Sequence, residues 1–381
     1  MPHQATILNT LLKCIDRRAF KTKAEGLRSD AYVKSFGSWE HLVALVYAQF
    51  SGAVSLREIE TSWNASSGAH YHLGGKPLSR STLSDANRRR DPALFAGVFS
   101  SLSALAERSI RRESEALVRL IDSSPVPLNT LHDWRASNGR IKGAKLHMMF
   151  DPDTNVPLQA AVTLANVNDV RFAQDIAIER GATYVFDKGY TSLAFWQRMQ
   201  DGGAVFLTRT KSNAALKLKT RTPLSDADRA AGVTCDHTVV HDSQSKGRIR
   251  LGFTLRRIRV RREDGKRIEL ITNDLGRAAH EIAALYRQRW QIELLFRWIK
   301  QHLKIRKFLG RSQNAVKSQS SAALIAFVLV RIAAAQNNIE KHWLIRFIEL
   351  IGEQLCSRKP ILEIAKPPDK QTRKNPPTSP Q

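Results

Sequence analysis

The stretch LVRLIDSS at residues 117–124 decides the fold, because an apolar-rich run there leads directly into Asp122. A run of this length and composition predicts a buried strand, and we expect Asp122 to terminate it. A second short run, YVF at residues 184–186, leads into Asp187 in the same way. Side chains at strand ends in an α/β sheet can converge on one cleft. The pattern therefore predicts a mixed α/β sheet that presents two carboxylates together.

Around these two runs, the pattern alternates between strands and helices. Two strands linked by a turn-rich hairpin are expected before the second run, and a helix and a further strand after it. A β-rich insertion is predicted at about 211–275, followed by one long helix. The expected strands are 144–150, 157–164 and 204–207, and the expected helices are 169–180, 193–200, 277–303, 315–336 and 342–355.

Residues 1–110 predict a helical N-terminal domain. Ser55 is expected to cap a helix, with Glu58 three residues later as a capping box requires. After a Gly/His-rich loop, the run STLSDANRRR at 81–90 predicts a short helix with a basic end. Two interpretations fit equally well. The pair of helices is either a helix-turn-helix, in which Arg88 and Arg89 would contact DNA, or a basic surface of a helical bundle.

The overall charge favours a polyanionic partner. Lys and Arg number 60 against 35 acids, giving a net charge of +25, and such a field attracts nucleic acid or an anionic membrane.

The most apolar run, residues 322–330, is too short to span a bilayer and predicts a buried helix, so we expect no membrane. Three widely spaced cysteines suit the cytoplasm. Residues 356–381 predict a disordered basic tail.

Paired strand-end carboxylates suit phosphodiester chemistry. Mg²⁺ is held by one or two carboxylates, and two such ions activate the attacking oxygen and stabilise the leaving one. Taken alone, Asp122 or Asp187 could equally cap a turn.

A third acid lies on the predicted long helix, in the middle of a cationic face. Residues three or four apart share a helix face, and the stretch 248–307 carries 17 Lys/Arg against 6 Asp/Glu. An exposed, salt-bridged helix is one interpretation. The other makes Glu293 a metal ligand among phosphate-binding cations. The members of this face are Tyr286, Arg289, Glu293, Arg297, Lys300 and Lys304.

Together, these residues resemble bacterial insertion-sequence transposases of the DDE type, in the IS-four group. The spacing Tyr-x2-Arg-x3-Glu-x6-Lys from Tyr286 to Lys300 resembles the group's signature, DKGY at 187–190 its second-Asp motif, and IDSS at 121–124 its first-Asp motif. The runs KGAKLH at 142–147 and FLG at 308–310 also fit. Asn168-Asp169 stands where the group often has His-Asp, and Ser124-Pro125 departs from the first motif.

The resemblance implies a ribonuclease-H-like DDE domain at 111–355, preceded by an all-α DNA-binding domain. Asp122, Asp187 and Glu293 would bind Mg²⁺, with Mn²⁺ able to substitute. The double-stranded DNA of the element ends and the target would contact the cationic face and Arg88 and Arg89. The implied reaction is cleavage at the ends followed by strand transfer, carried out by a homodimer in a bacterial cytoplasm. A nuclease without strand transfer and a non-catalytic DNA-binding derivative are the alternatives.

Overall fold

The computed structural model describes residues 5–365 except 74, 112–115, 129–131, 133, 135, 138–141, 211–213, 243–250, 263, 304–307 and 341–342. Within the described ranges the helices are α1 (Ile7–Leu12), α2 (Arg17–Gly26), α3 (Ser38–Ser51), α4 (Leu56–Ala65), α5 (Ser67–Leu73), α6 (Arg80–Arg89), α7 (Ala93–Ile110), α8 (Asp169–Gln174), α9 (Leu193–Asp201), α10 (Asp226–Ala230), α11 (Ala279–Gln288), α12 (Trp290–His302), α13 (Gln313–Gln336), α14 (Leu344–Glu353) and α15 (Ile361–Ala365). The strands are β1 (Val118–Pro127), β2 (Ala136–Ser137), β3 (Lys142–Asp151), β4 (Val156–Leu164), β5 (Thr183–Phe186), β6 (Val205–Arg209), β7 (Leu216–Arg221), β8 (Val233–His241), β9 (Leu255–Arg261) and β10 (Arg267–Thr272).

The strands form one mixed sheet in the order β2-β3-β1-β5-β6-β10-β9-β8-β7, with β4 on the outer edge of β3. β1, β5 and β6 run parallel to one another, and the other pairs are antiparallel. The predicted fold class is confirmed: a helical N-terminal part precedes a mixed α/β core that is consistent with a ribonuclease-H-like fold.

The β-rich insertion predicted at 211–275 contains β7 to β10, and the short helix α10 was not predicted. These strands do not form a separate sheet. β10 pairs antiparallel with β6, with Leu270 opposite Arg209, so the insertion extends the central sheet beyond its parallel strands. One edge of the insertion is therefore fixed next to the carboxyl ends of β5 and β6.

The predicted buried run at residues 322–330 is confirmed as part of α13, which begins two residues before the predicted 315–336 and ends at the predicted residue. Among the described residues, α13 is the single helix with the length and composition of a membrane span, and most of it is buried inside the protein. It packs against α3, α7 and β4. α3 and α4 would pass the same test only as one span, and they meet at 96°.

The N-terminal helices share a continuous core with the sheet, which includes Leu45 and Leu102 as well as Leu120 and Phe327. Ser55 caps α4 as predicted: its Oγ accepts from the Glu58 amide at 3.2 Å. In the predicted capping box the Glu58 side chain would accept from the amide of Ser55. It accepts from the amide of Val54 instead. The predicted Gly/His-rich loop at 66–76 is wrong in part, because α5 occupies most of it.

Two other predictions near the C-terminus need correction. The single helix predicted at 277–303 is interrupted at Arg289, where hydrogen bonds of the i to i+3 type link Tyr286 to Arg289 and Arg289 to Ile292. The tail predicted to start at 356 begins too early, because α15 buries Ile361 and Ile364. The rest of that tail, 366–381, lies outside the described residues.

Candidate active site

Two of the predicted carboxylates lie side by side at the end of a parallel strand pair. β1 and β5 pair in parallel as far as Ile121 and Phe186, and Asp122 and Asp187 come next. The prediction that Asp122 terminates its strand is wrong, because β1 continues to Pro127 in pairing with β3. What ends at Asp122 is the parallel pairing alone, and this still leaves the two aspartates adjacent.

Glu293 joins the aspartates from the helical layer. It lies in the first turn of α12, which packs against β1. Arg289 donates from Nη1 to Oδ2 of Asp122 at 3.0 Å, and its Nη2 lies 2.6 Å from Oε1 of Glu293. A single guanidinium therefore bridges two carboxylates that are far apart in the sequence.

Asp187 has a guanidinium partner of its own. Arg209, the last residue of β6, donates from Nε and Nη2 to Oδ1 of Asp187 at 2.9 and 2.7 Å. The sequence analysis missed Arg209. A signal was present, because Arg209 ends the third parallel strand, just as Asp187 follows the second.

Burial gives Asp122 an unusual affinity for its proton. Its pKa is raised to about 6, mainly by burial and to a smaller extent by the neighbouring charges of Glu293 and Asp187, while Arg289 and the amide of Ser123 act in the opposite direction. Loss of water disfavours a charged carboxylate, and nearby like charges add to that effect. The three carboxylates are therefore electrostatically coupled in one site.

The three carboxylates are chemically suited to a divalent cation, although their side chains are not arranged as a metal site. In the part of the chain that the structure describes, no three His, Cys, Asp or Glu side chains lie close enough together to hold one metal ion. Asp122 and Glu293 nevertheless converge on one cationic group, Arg289. Carboxylate oxygens are the ligands that Mg²⁺ prefers. The residues thus fit a divalent cation that would take the place of the guanidinium.

A cationic cleft of about 900 Å³ opens beside the carboxylates, between the β insertion and helices α11 and α12. Tyr286 and Trp290 also line it, and the ring of Trp290 is half exposed. Asp264 is the one acid among its lining residues within the described part of the chain. The arginines that line it are Arg209, Arg229, Arg261, Arg262, Arg287 and Arg289.

The structure brings only some of the predicted DNA-binding residues to this cleft. Tyr286 is buried, and its ring centre lies 5.8 Å from the Arg289 guanidinium. Arg297 and Lys300 follow on α12, where Arg297 lies 5.9 Å from the ring of Trp290. Lys304 lies outside the described residues.

Arg88 and Arg89 lie at the end of α6 and are exposed. Arg88 pairs with Asp85 at 2.7 Å, and its carbonyl accepts from Nδ2 of Asn314 at 3.1 Å. None of the contacts described for these arginines reaches the three carboxylates. Through Asn314, the end of α6 is joined to the start of α13.

Comparison with known proteins gives a consistent result. The family model described as "Transposase DDE domain" matches residues 113–329, and a domain of unknown function matches residues 3–76. A Sinorhizobium fredii protein assigned as a transposase is 48% identical over 294 residues, covering 77% of this chain and 82% of the relative. A transposase of an insertion sequence from Geobacillus stearothermophilus is 26% identical over 70% of each chain.

Among solved structures, a piggyBac transposase synaptic complex with hairpin DNA matches with a TM-score of 0.47 and 12% identity. That match covers 95% of this chain and 80% of the other.

Proposed function

The chain belongs to the family of DDE transposases, and we propose that Asp122, Asp187 and Glu293 are the carboxylates with which it cuts insertion-sequence ends and joins them to target DNA. One observation carries this assignment. Arg289 binds Asp122 and Glu293 at once, while Asp187 lies next to Asp122 at the end of the parallel strands. Three acids from different parts of the chain thus lie around two arginines that line a cationic cleft.

DDE transposases depend on divalent metal ions, and we assign Mg²⁺ as the ion, with Mn²⁺ able to substitute. Asp122, Asp187 and Glu293 would hold it. Bound there, it supplies activation of the attacking oxygen and stabilisation of the leaving oxygen.

In this proposal the two arginines act in turn on the carboxylates and on the DNA. Arg289 and Arg209 line the cleft as well as pairing with the acids. Once a cation neutralises the acids, both guanidinium groups are available to phosphates, which arginine binds in a bidentate manner. Tyr286 would hold Arg289 in place, and Arg297, Lys300 and Lys304 would continue the phosphate contacts along the DNA.

The remaining assignments concern the DNA complex as a whole. We propose that Arg88 and Arg89 on α6 contact the terminal inverted repeat. Strand transfer must hold two element ends together, so we also propose that two copies of the chain act in the complex. The reaction takes place on DNA in the bacterial cytoplasm.

The decisive test uses a labelled duplex with the element's own end and a target plasmid, incubated with the purified protein in Mg²⁺ or in EDTA. We expect Mg²⁺-dependent cleavage and joining, and we expect Glu293→Gln to lose both by a factor of at least about 100, since it removes a charged ligand. Glu353→Gln, an exposed change on α14, is the matched control.

Cleavage that persists unchanged in Glu293→Gln would remove this residue from the site. Mg²⁺-dependent cleavage that never leads to joining would identify a nuclease instead. DNA binding without any cleavage in Mg²⁺ or Mn²⁺ would identify a non-catalytic derivative.

A further inference from the structure

A second polar cluster lies directly behind the two aspartates. At its centre is Asp169, the first residue of α8. Oδ1 of Asp169 accepts from Nζ of Lys145 at 2.7 Å and from Oγ of Ser123 at 3.2 Å. Lys145 lies on β3, and Ser123 on β1. One carboxylate therefore ties a helix to two strands of the sheet.

Through Ser123, the cluster reaches the first catalytic aspartate. Successive residues of a strand point to opposite faces of the sheet. Asp122 binds Arg289 on the face covered by α12, and Ser123, the next residue, binds Asp169 on the other face. The amide of Ser123 also donates to Oδ1 of Asp122 at 2.8 Å. A bond that fixes Ser123 therefore fixes the backbone that orients Asp122.

The same carboxylate also touches the turn that carries the second aspartate. A Cβ atom at Gly189 would lie 3.0 Å from Oδ2 of Asp169, so this turn and Asp169 are in close contact. Tyr190, the next residue, is buried, and its hydroxyl lies 3.3 Å from Nδ1 of His147. The ring of His147 stacks on Phe172 of α8 at 5.3 Å. The end of the 187–190 turn is thus held by α8 and β3.

Asp169 differs from the three catalytic acids in its partners. Asp122, Asp187 and Glu293 each bind an arginine that lines the cleft. Asp169 pairs with Lys145 instead, and both side chains are largely shielded from solvent. Its charge is therefore already neutralised inside the protein, on the side of β1 away from Glu293.

We propose that Asp169, held by Lys145, is a positioning residue that fixes the spacing of Asp122 and Asp187 and so sets the site's affinity for its divalent cation. The inference rests on the proposed function, because it takes those two aspartates as ligands. Residues that orient metal ligands commonly change metal affinity or activity by about 10- to 100-fold when they are replaced.

The test measures metal binding without DNA. Purified protein is titrated with Mn²⁺, and its melting temperature is recorded, since a ligand that binds the folded state stabilises it by an amount that grows with the ratio of ligand concentration to dissociation constant. For Asp169→Asn we expect the Mn²⁺ concentration that gives the same rise in melting temperature to be about tenfold higher or more. Stabilisation should still be reached at high Mn²⁺ concentration. Asp175→Asn, the same chemical change at the exposed end of α8, should leave the titration unchanged.

A second variant separates positioning from general loss of stability. Lys145→Met should give the same shift in the Mn²⁺ titration as Asp169→Asn, and the double variant should be no worse than either single one, because residues in one pair are not additive. Each variant's rise in melting temperature is measured from its own value in EDTA, so a lower starting melting temperature does not affect the comparison.

An unchanged Mn²⁺ titration in Asp169→Asn would overturn the inference. So would complete loss of stabilisation at every Mn²⁺ concentration, as expected for Asp187→Asn, because Asp169 would then be a ligand itself. A wild-type chain without any Asp187-dependent Mn²⁺ stabilisation would also overturn it. Wild-type protein that binds Mn²⁺ but never cuts DNA would refute the proposed function alone, and the titrations would still decide the role of Asp169.

Discussion

At the residue scale, each of the three proposed catalytic acids pairs with an arginine that also lines the cationic cleft. Arg289 is mostly buried, with 16% of its side chain exposed. Its charge is balanced by Asp122 and Glu293, and Arg209 balances Asp187. Gathering like charges in a partly buried site is costly unless a cation is present. Without metal, these guanidinium groups supply that cation. A bound metal would make them available to DNA phosphates, so metal binding and DNA binding are expected to favour each other.

The raised pKa of Asp122 predicts how metal binding depends on pH. Burial raises that pKa to about 6, so below pH 6 the folded site keeps a proton that a metal ion must displace. Mn²⁺ affinity in a melting-temperature titration should therefore rise by about tenfold per pH unit from pH 4.5 to 6 and then level off. Without metal the sign is opposite: stability should fall from pH 4 to 6, because the folded state binds the proton more tightly than the unfolded state.

Melting temperatures in EDTA across the same pH series provide the control for that titration. An Mn²⁺ affinity that is flat from pH 5 to 7 would indicate an ordinary carboxyl at Asp122.

At the element scale, the interruption between α11 and α12 and the β insertion together form the cleft. Arg289 lies at the interruption, where i to i+3 hydrogen bonds replace the regular helical ones. The insertion contributes Arg229, Arg261 and Arg262 from the opposite wall. Arg256 anchors the insertion internally through Asp236, at 2.8 and 2.6 Å. The wall therefore presents cations on a well-supported surface.

The exposed cleft arginines should contribute to DNA affinity without taking part in catalysis. Within the described part of the chain, neither Arg261 nor Arg287 forms a salt bridge. Changing both to Ser should weaken binding of a labelled end duplex and reduce the slope of log affinity against log salt by about 2, one for each lost phosphate contact. Fluorescence anisotropy at several salt concentrations measures this.

The matched control for those changes is the double variant Arg358→Ser and Lys359→Ser, two exposed cations beyond α14. Equal salt slopes for the cleft variant and the wild-type protein would place the DNA elsewhere.

At the scale of the whole molecule, a buried ionic network joins the N-terminal helices to the sheet. Arg119 of β1 donates to Glu107 of α7 and to Glu179, each at 2.6 Å. Its Nη1 lies 3.3 Å from Asp151, which also binds Arg111. Arg119 lies three residues before Asp122, so the network anchors the strand that carries Asp122.

Removing Arg119 should destabilise the whole fold, because this buried guanidinium links Glu107, Glu179 and Asp151. We expect Arg119→Met to lower the free energy of unfolding by about 3 kcal/mol, the lower end of the usual range for breaking a buried ion pair, since Arg111 still holds Asp151. Urea unfolding followed by circular dichroism measures it.

Arg346→Met, which breaks the exposed pair with Glu349 on α14, should cost less than about 1 kcal/mol. Similar losses for the two variants would show that the Arg119 network adds little stability.

The sequence by itself determined the strands that carry the two aspartates and the mixed α/β class, because apolar runs and turns are local patterns. The cationic helical face by itself left two interpretations of Glu293 open, and the resemblance to the transposase signature made it a candidate ligand. Only the tertiary structure decided that Arg289 bridges Asp122 and Glu293, that Arg209 pairs with Asp187, and that Asp169 meets Ser123. The reason is physical: these are contacts between segments far apart in the chain, and helix and strand periodicity carries no information about which distant side chains meet.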